Sequence, residues 1–202
     1  MNIVPVFAVG IANVLRQDVL EGARRLFDGR VQLSTSHEGM PYTSLRGYDM
    51  GTNSMDKIAI YPETQKLSEA IKHEAKKFLS VMGANTDAYS FHVSNMWLNE
   101  MVSDTSSPEH YHYGHTLSGC YYVDVPENSA GITFINPMSA FPKQSIISNV
   151  ITSYNSNHCV FNPKEGEMFL WESYLRHKVE SSEFEGIRRS IAFDVIIKYN
   201  DV

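Results

Sequence analysis

From Ala88 onward the chain is built of short runs of Val, Ile, Phe, Tyr and Trp, cut by clusters of Gly, Pro, Asn and Asp. Such runs favour a pleated, half-buried backbone, and the clusters favour turns. The pattern predicts strands near 88–99, 117–125, 131–135, 146–152, 158–161, 167–172, 177–181 and 187–198. Many short strands at this pacing indicate a sandwich or barrel. A jelly roll, two facing antiparallel sheets, fits best.

The first third differs. Ile3 to Val9 reads as a short apolar strand. Val14 to Phe27 carries Leu15, Val19, Leu20, Ala23 and Leu26 at helical spacing, and Gly29 stops it. Residues 34–56 hold Gly39, Pro41, Gly47 and Gly51 and read as a polar loop, a candidate lid. Thr64 to Met82 is the clearest helix, with Leu67, Ile71, Ala75, Phe78 and Met82 in one stripe. Pro62 lies just before it, with Thr64 as an N-cap candidate, and Gly83 ends it. The expected fold is therefore mainly β with N-terminal helices laid against one sheet. We read 1–202 as a single domain, with helical support over about 1–86 and a β core over about 87–199.

A chain of 202 residues can bury a sizeable core. A net charge of −6 lacks the basic footprint of a nucleic-acid binder, so no nucleic-acid partner is expected. The apolar segment Ile3–Ile11 is too short to span a membrane and has no positive start. No membrane association is expected, and residence is taken as cytoplasmic. Two cysteines, Cys120 and Cys159, sit in apolar runs and read as reduced thiols rather than a disulfide framework.

The chemistry concentrates in EHYHYGHTLSGCYYV, residues 109–123. His110 and His112 stand two apart, and alternate side chains of a strand leave one face. Two imidazoles so placed can grip one metal ion. His177 is a third candidate far downstream, and Arg188 follows eleven residues later in IRRSIAFDVII. Distant histidines with a strand arginine suggest an open metal site beside a place for an anionic co-substrate. Arg188 shares strand parity with Ser190, while Arg189 must face the other way and is the alternative. His115 extends the cluster to HxHxxH and could be a ligand in place of His112, an outer hydrogen-bond donor or a substrate contact. Trp97 and Asn99 are pocket candidates, although a strand Trp is more often core.

Taken in order, Trp97-Leu98-Asn99, His110-Tyr111-His112, Leu117 to Val123, Pro163 to Gly166, His177 and Arg188-Arg189-Ser190 resemble the Fe(II)- and 2-oxoglutarate-dependent oxygenases. More narrowly, they resemble a branch common in marine bacteria and phages. The resemblance covers about residues 88–198. It implies a double-stranded β-helix, a form of jelly roll. It implies Fe(II) held by His110, His112 and His177, with open positions for 2-oxoglutarate and O₂. It implies Arg188 on the far carboxylate of 2-oxoglutarate, with Ser190 beside it and Tyr122 adding a phenol donor. The implied reaction is hydroxylation of a protein side chain, as in prolyl hydroxylases, or of a small molecule. Action in a host cytoplasm, if phage-encoded, and a homodimer are both compatible with it.

One departure stands out. Most of the superfamily has a carboxylate at the middle ligand, where this chain has His112. A neutral imidazole leaves the iron one positive charge richer and opens the question of metal preference. Glu109 has the wrong parity to substitute, and Asp124 lies at the far end of the next strand. Two other readings compete. A cupin-type metal enzyme that does not use 2-oxoglutarate also places HxH in a jelly roll, but usually with a carboxylate soon after it. A non-catalytic jelly-roll binding module would carry its histidines by accident.

Overall fold

The computed structural model describes residues 9–14, 16–28, 43–45, 62–140, 149–150, 152 and 155–200. Two antiparallel sheets face each other, and two helices cover the outer face of the larger one. The larger sheet has the order β1 (Val9–Asn13), β8 (Glu167–Glu172), β5 (Leu117–Asp124), β10 (Arg188–Tyr199), β3 (Tyr89–Met101) and β2 (Thr43–Leu45). The smaller has the order β4 (Ser107–His110), β9 (His177–Val179), β6 (Ile132–Ile135) and β7 (His158–Phe161). This is the jelly roll expected from the strand pacing, in the double-stranded β-helix form that the resemblance implied.

The helices are α1 (Gln17–Phe27) and α2 (Pro62–Val81). Asp18 in the first turn of α1 and Arg24 and Arg25 in its last both suit the helix dipole. Its buried face, Val19, Leu20, Ala23, Leu26 and Phe27, recurs at helical period. α2 opens at Pro62, whose fixed φ fits a first turn, so the helix starts two residues before the expected Thr64. It closes in a Schellman turn. Gly83 takes φ +87°, the Ala84 amide donates to Leu79 O at 3.0 Å and the Gly83 amide to Ser80 O at 3.0 Å.

Strand parity then sorts the core into two layers. Leu117, Tyr121 and Val123 of β5, Ile191, Phe193 and Val195 of β10, and Met96 and Leu98 of β3 pack under the helices with Leu67, Ile71 and Ala75. The alternate residues turn inward between the sheets, where Phe169 and Trp171 meet Ile132, Phe134 and Leu175. Phe134 and Trp171 lie edge to face at 5.0 Å between centroids, a favoured aromatic geometry.

Gly119 marks the tightest approach in the sheet. A Cβ there would stand 2.3 Å from Phe193 Cζ and 2.6 Å from the Phe169 carbonyl oxygen. The carbonyl belongs to the paired strand β8 and cannot swing away as a side-chain tip can. Gly119→Ala is therefore expected to destabilise the protein by about 3 kcal/mol, the upper end for overpacking a core. A denaturant midpoint unchanged from wild type would refute this.

Three described strands depart from the expected set: β4, β1 and β2, the last lying inside the expected loop. β4 contains Pro108 and has no apolar alternation, so no strand signal marked it. The first described strand runs over Val9–Asn13, beyond the expected end at Val9, and the rest of the expected segment 3–9 lies outside the described residues. The same holds for most of the expected 146–152 strand and, β2 apart, for the candidate lid over 34–56. No described helix is long and apolar enough to cross a membrane.

Candidate metal centre and co-substrate pocket

Three strands in register build one wall of a cavity of about 500 Å³. On the inward face of β10 stand Arg188, Ser190, Ala192 and Asp194. Their partners on β3 are Met101, Asn99, Trp97 and Asn95. On β5, Tyr122, Cys120 and Ser118 pair with Ser190, Ala192 and Asp194. The cavity wall is thus a set of cross-strand rows, each fixed by backbone pairing.

The smaller sheet supplies the opposite side. His110 ends β4 and pairs directly with His177, which opens β9. Their rings lie 4.3 Å apart between centroids. His112 is not in a strand with His110, contrary to the single-wall expectation, because β4 ends at His110. Instead the His112 amide donates to Ser173 O at 2.9 Å, and its ring stacks on Trp97 with centroids 5.5 Å apart. The possible ligand atoms of His110, His112 and His177 all fall within 4.8 Å of one another.

Each ring is oriented from behind. His110 Nδ1 donates to Pro108 O at 2.8 Å and His177 Nδ1 to Leu175 O at 2.9 Å. His112 Nδ1 donates to Asp194 Oδ1 at 2.6 Å. A ring that gives its Nδ1 proton outward presents the Nε2 lone pair inward, the arrangement of metal-binding histidines. His112 Nε2 is buried and has no partner among the described residues. The donor set therefore suits a borderline cation such as Fe(II).

Burial holds both paired histidines in the neutral, ligating form. It lowers His177 to about 3, with the neighbouring His110 adding to the effect, and it lowers His110 as well. The sign for stability follows. Below the ordinary value of 6.5, the unfolded chain takes up a proton that folded His177 refuses. The metal-free protein is thus expected to lose stability as pH falls from about 6.5 toward 3, by up to roughly 1.4 kcal/mol per pH unit for this group. Melting temperatures measured across that range test it, and a flat profile would count against it.

Asp194 was not singled out in the sequence. It is 2% exposed on the central strand. Besides His112 it accepts from Ser118 Oγ at 2.7 Å and from Asn95 Nδ2 at 2.9 Å. Burial alone would raise its carboxyl, but these bonds, that from His112 first, outweigh it and hold it below the usual carboxylate range. The signal was available: Asp194 keeps the parity of Arg188 and Ser190 within an otherwise apolar run. His115 joins this group rather than the three rings. Its Nε2 meets Asn95 Nδ2 at 3.0 Å, and its Nδ1 is 3.7 Å from Asp194 Oδ2.

The other end of the cavity is cationic. Arg188 is 3% exposed, with its guanidinium carbon 5.1 Å from the Tyr122 ring centroid. Its Nη1 reaches Met101 Sδ at 3.3 Å, a weak acceptor, and no carboxylate among the described residues pairs with it. Arg188 Nε and the Tyr122 hydroxyl are both buried without a hydrogen-bond partner among those residues. Burial keeps the Tyr122 phenol well above its ordinary value, so it is a donor. Ser190 is buried beside them. A desolvated guanidinium without an anion is costly, so this end of the cavity has the chemistry to receive a carboxylate. Arg189 points to the helix side. There its Nε donates to Glu100 at 2.8 Å, with Asp28 at 3.4 Å and Asp124 at 3.7 Å.

Asn99 and Trp97 line the cavity. Among the excluded carboxylates, Glu109 pairs with Arg176 and Asp124 with Arg24, both away from the rings. Cys120 is buried on the cavity wall, Cys159 is half-buried, and both are free thiols.

Residues 95–194, spanning β3 to β10, match the family model described as "Putative 2OG-Fe(II) oxygenase". No curated protein matches the chain in sequence. Among solved structures, a Pseudomonas putida prolyl-4-hydroxylase superposes with TM-score 0.58 at 11% identity, over 95% of this chain and 93% of that one. The 2-oxoglutarate-dependent carbocyclase SnoK from nogalamycin biosynthesis gives 0.64 at 12%, over 96% and 82%. HygX from Streptomyces hygroscopicus, with nickel, 2-oxoglutarate and hygromycin B bound, gives 0.56 at 9%, over 94% and 82%. At these identities the superpositions speak for the fold, while the family match speaks for the chemistry. The chain belongs to the 2OG-Fe(II) oxygenases, dioxygenases that work with Fe(II), 2-oxoglutarate and O₂.

Proposed function

We propose that His110, His112 and His177 hold the Fe(II), and that Arg188, Ser190 and Tyr122 receive the far carboxylate of 2-oxoglutarate. The observation that carries this reading is Arg188: a guanidinium buried with no acid beside it among the described residues, sharing one cavity with a cluster of inward-facing imidazoles. Arginine suits a carboxylate through a two-pronged hydrogen bond, and the Tyr122 hydroxyl would add a third donor. When bound, the iron and the 2-oxo acid would supply O₂ activation with release of succinate and CO₂, driving hydroxylation of a C–H bond.

The remaining steps belong to the chain's own residues. Phe134 and Trp171 flank His177, with ring centroids at 5.9 and 4.8 Å, and keep water from that side of the centre. Trp97 fixes the plane of His112 by stacking. Asn99, in register with Ser190, lines the cavity between the cationic end and the imidazoles. Exposed Tyr111 and Tyr113 stand where a substrate would enter. A protein side chain handled in the manner of a prolyl hydroxylase is our first substrate class, by analogy with the Pseudomonas putida enzyme. A small molecule is the second, since the cavity volume lies in the range of small-ligand sites. In the same reading, α1 and α2 brace the larger sheet and the chain works as one unit.

The test is anaerobic addition of Fe(II) and then 2-oxoglutarate to the metal-free protein. A visible charge-transfer band with one iron per chain is expected. Stoichiometric metal binding without any band would point instead to a metal enzyme that does not use the 2-oxo acid.

A further inference from the structure

We infer that Asp194 supplies, through His112, the negative charge that a carboxylate ligand would otherwise place directly on the metal. This rests on the proposed three-histidine centre. In that centre every ligand is a neutral imidazole. A divalent cation with dianionic 2-oxoglutarate would be formally neutral there, one negative charge short of a site with a carboxylate ligand. Asp194 restores that charge one imidazole further out.

The geometry supports a built device rather than a chance contact. Asp194 sits at the centre of a cross-strand row, flanked in register by Asn95 on β3 and Ser118 on β5. Both neighbours donate to it, and Ser118 is itself held by Ser173 Oγ at 2.8 Å. The pairing of β10 with β3 shifts register directly after Asp194. A bulge of this kind re-aims a side chain locally. The His112–Asp194 bond, at 2.6 Å, is the shortest of the set and is the one aimed at a candidate ligand. His110 and His177 instead donate to backbone carbonyls, which orient a ring but carry no full charge. The negative charge is therefore assigned to His112 alone, at the position where the sequence departs from the carboxylate pattern.

Asp194 is thus a positioning residue acting through His112. An outer carboxylate of this kind fixes the ring tautomer and raises ligand basicity, and its loss typically costs 10–100-fold in metal affinity. Asparagine at this position keeps the size and one acceptor but removes the charge. We expect Asp194→Asn to bind Co(II) roughly 10–100-fold more weakly than wild type. The Co(II) visible spectrum should shift in the bound form. The metal-free variant should also melt lower than wild type, because His112, Ser118 and Asn95 lose the carboxylate to which they donate, so the metal affinity and the spectrum are the deciding readouts. A merely structural Asp194 would show only the lower melting temperature, with metal affinity and spectrum as in wild type.

A second variant covers a folding failure. His112→Asp alone would crowd two carboxylates and bind poorly, whereas His112→Asp with Asp194→Asn moves the single charge onto the metal and should regain affinity. Wild-type Co(II) affinity and spectrum in a folded Asp194→Asn protein would overturn the inference, as would failure of the double variant to improve on His112→Asp. Co(II) binding by His177→Ala at wild-type strength would remove the three-histidine reading itself, a separate outcome.

Discussion

Replacing Arg188 with Met is expected to weaken 2-oxoglutarate binding by roughly 30-fold to several thousand-fold, the equivalent of about 2–5 kcal/mol for truncating one side of a buried charge pair. Metal binding should be spared, because Arg188 and the imidazoles occupy different parts of the cavity. The metal-free protein should not lose stability. Wild type already buries this guanidinium with no acid beside it among the described residues, so methionine fills the space without the desolvation cost. Arg189→Ala gives the contrast. It removes the contacts to Glu100, Asp28 and Asp124, lowering stability by up to about 1 kcal/mol while leaving co-substrate affinity intact. Calorimetric titration of the metal-loaded variants with 2-oxoglutarate separates the two arginines. Loss of binding in the Arg189 variant alone would reverse the assignment.

The second large effect concerns His177. It is 5% exposed, paired in register with His110 and packed edge-on against Trp171. Removing a direct ligand should exceed the 10–100-fold cost of losing an outer partner, so His177→Ala should abolish stoichiometric Fe(II) binding at micromolar metal. The imidazole contributes little to the fold, since its one hydrogen bond goes to the Leu175 carbonyl beside it. A cavity-lining His-to-Ala change should thus unfold the metal-free protein only slightly earlier. His73→Ala, on the exposed face of α2, is the control and should leave metal binding unchanged. Equal metal content in both variants, measured after gel filtration, would end the case for this centre.

Much of this site is legible in the amino-acid sequence. Alternation in β10 put Arg188 and Ser190 on one face and Arg189 on the other, because a strand's side-chain period of two leaves no third choice. The apolar run Leu117–Val123 gave a strand, which the structure buries with Tyr121 and Tyr122 on opposite faces, whereas Tyr122 entered the sequence reading only through the family resemblance. The helical stripe of α2 was equally plain. The misreadings have a common cause. β4 escaped notice because an edge segment with Pro108 owes its strand conformation to pairing with β9, not to its own residues. His112 left the expected wall for the same reason, since the strand ends where that pairing ends. Asp194 was overlooked because a lone acid in an apolar strand has meaning only once Ser118 and Asn95 stand beside it.

The sequence by itself determined which residues share a face and where the helices and most strands lie, since both follow from periodicities of neighbouring side chains. Only the tertiary structure decided which faces meet. It brought His177 against His110 from 67 residues away in the chain. Among the described residues it left Arg188 without an acid while giving Arg189 several, and it set a buried carboxylate behind His112. Those outcomes depend on register between strands distant in sequence, and cross-strand pairing energies are spread over the whole core rather than written in any one segment.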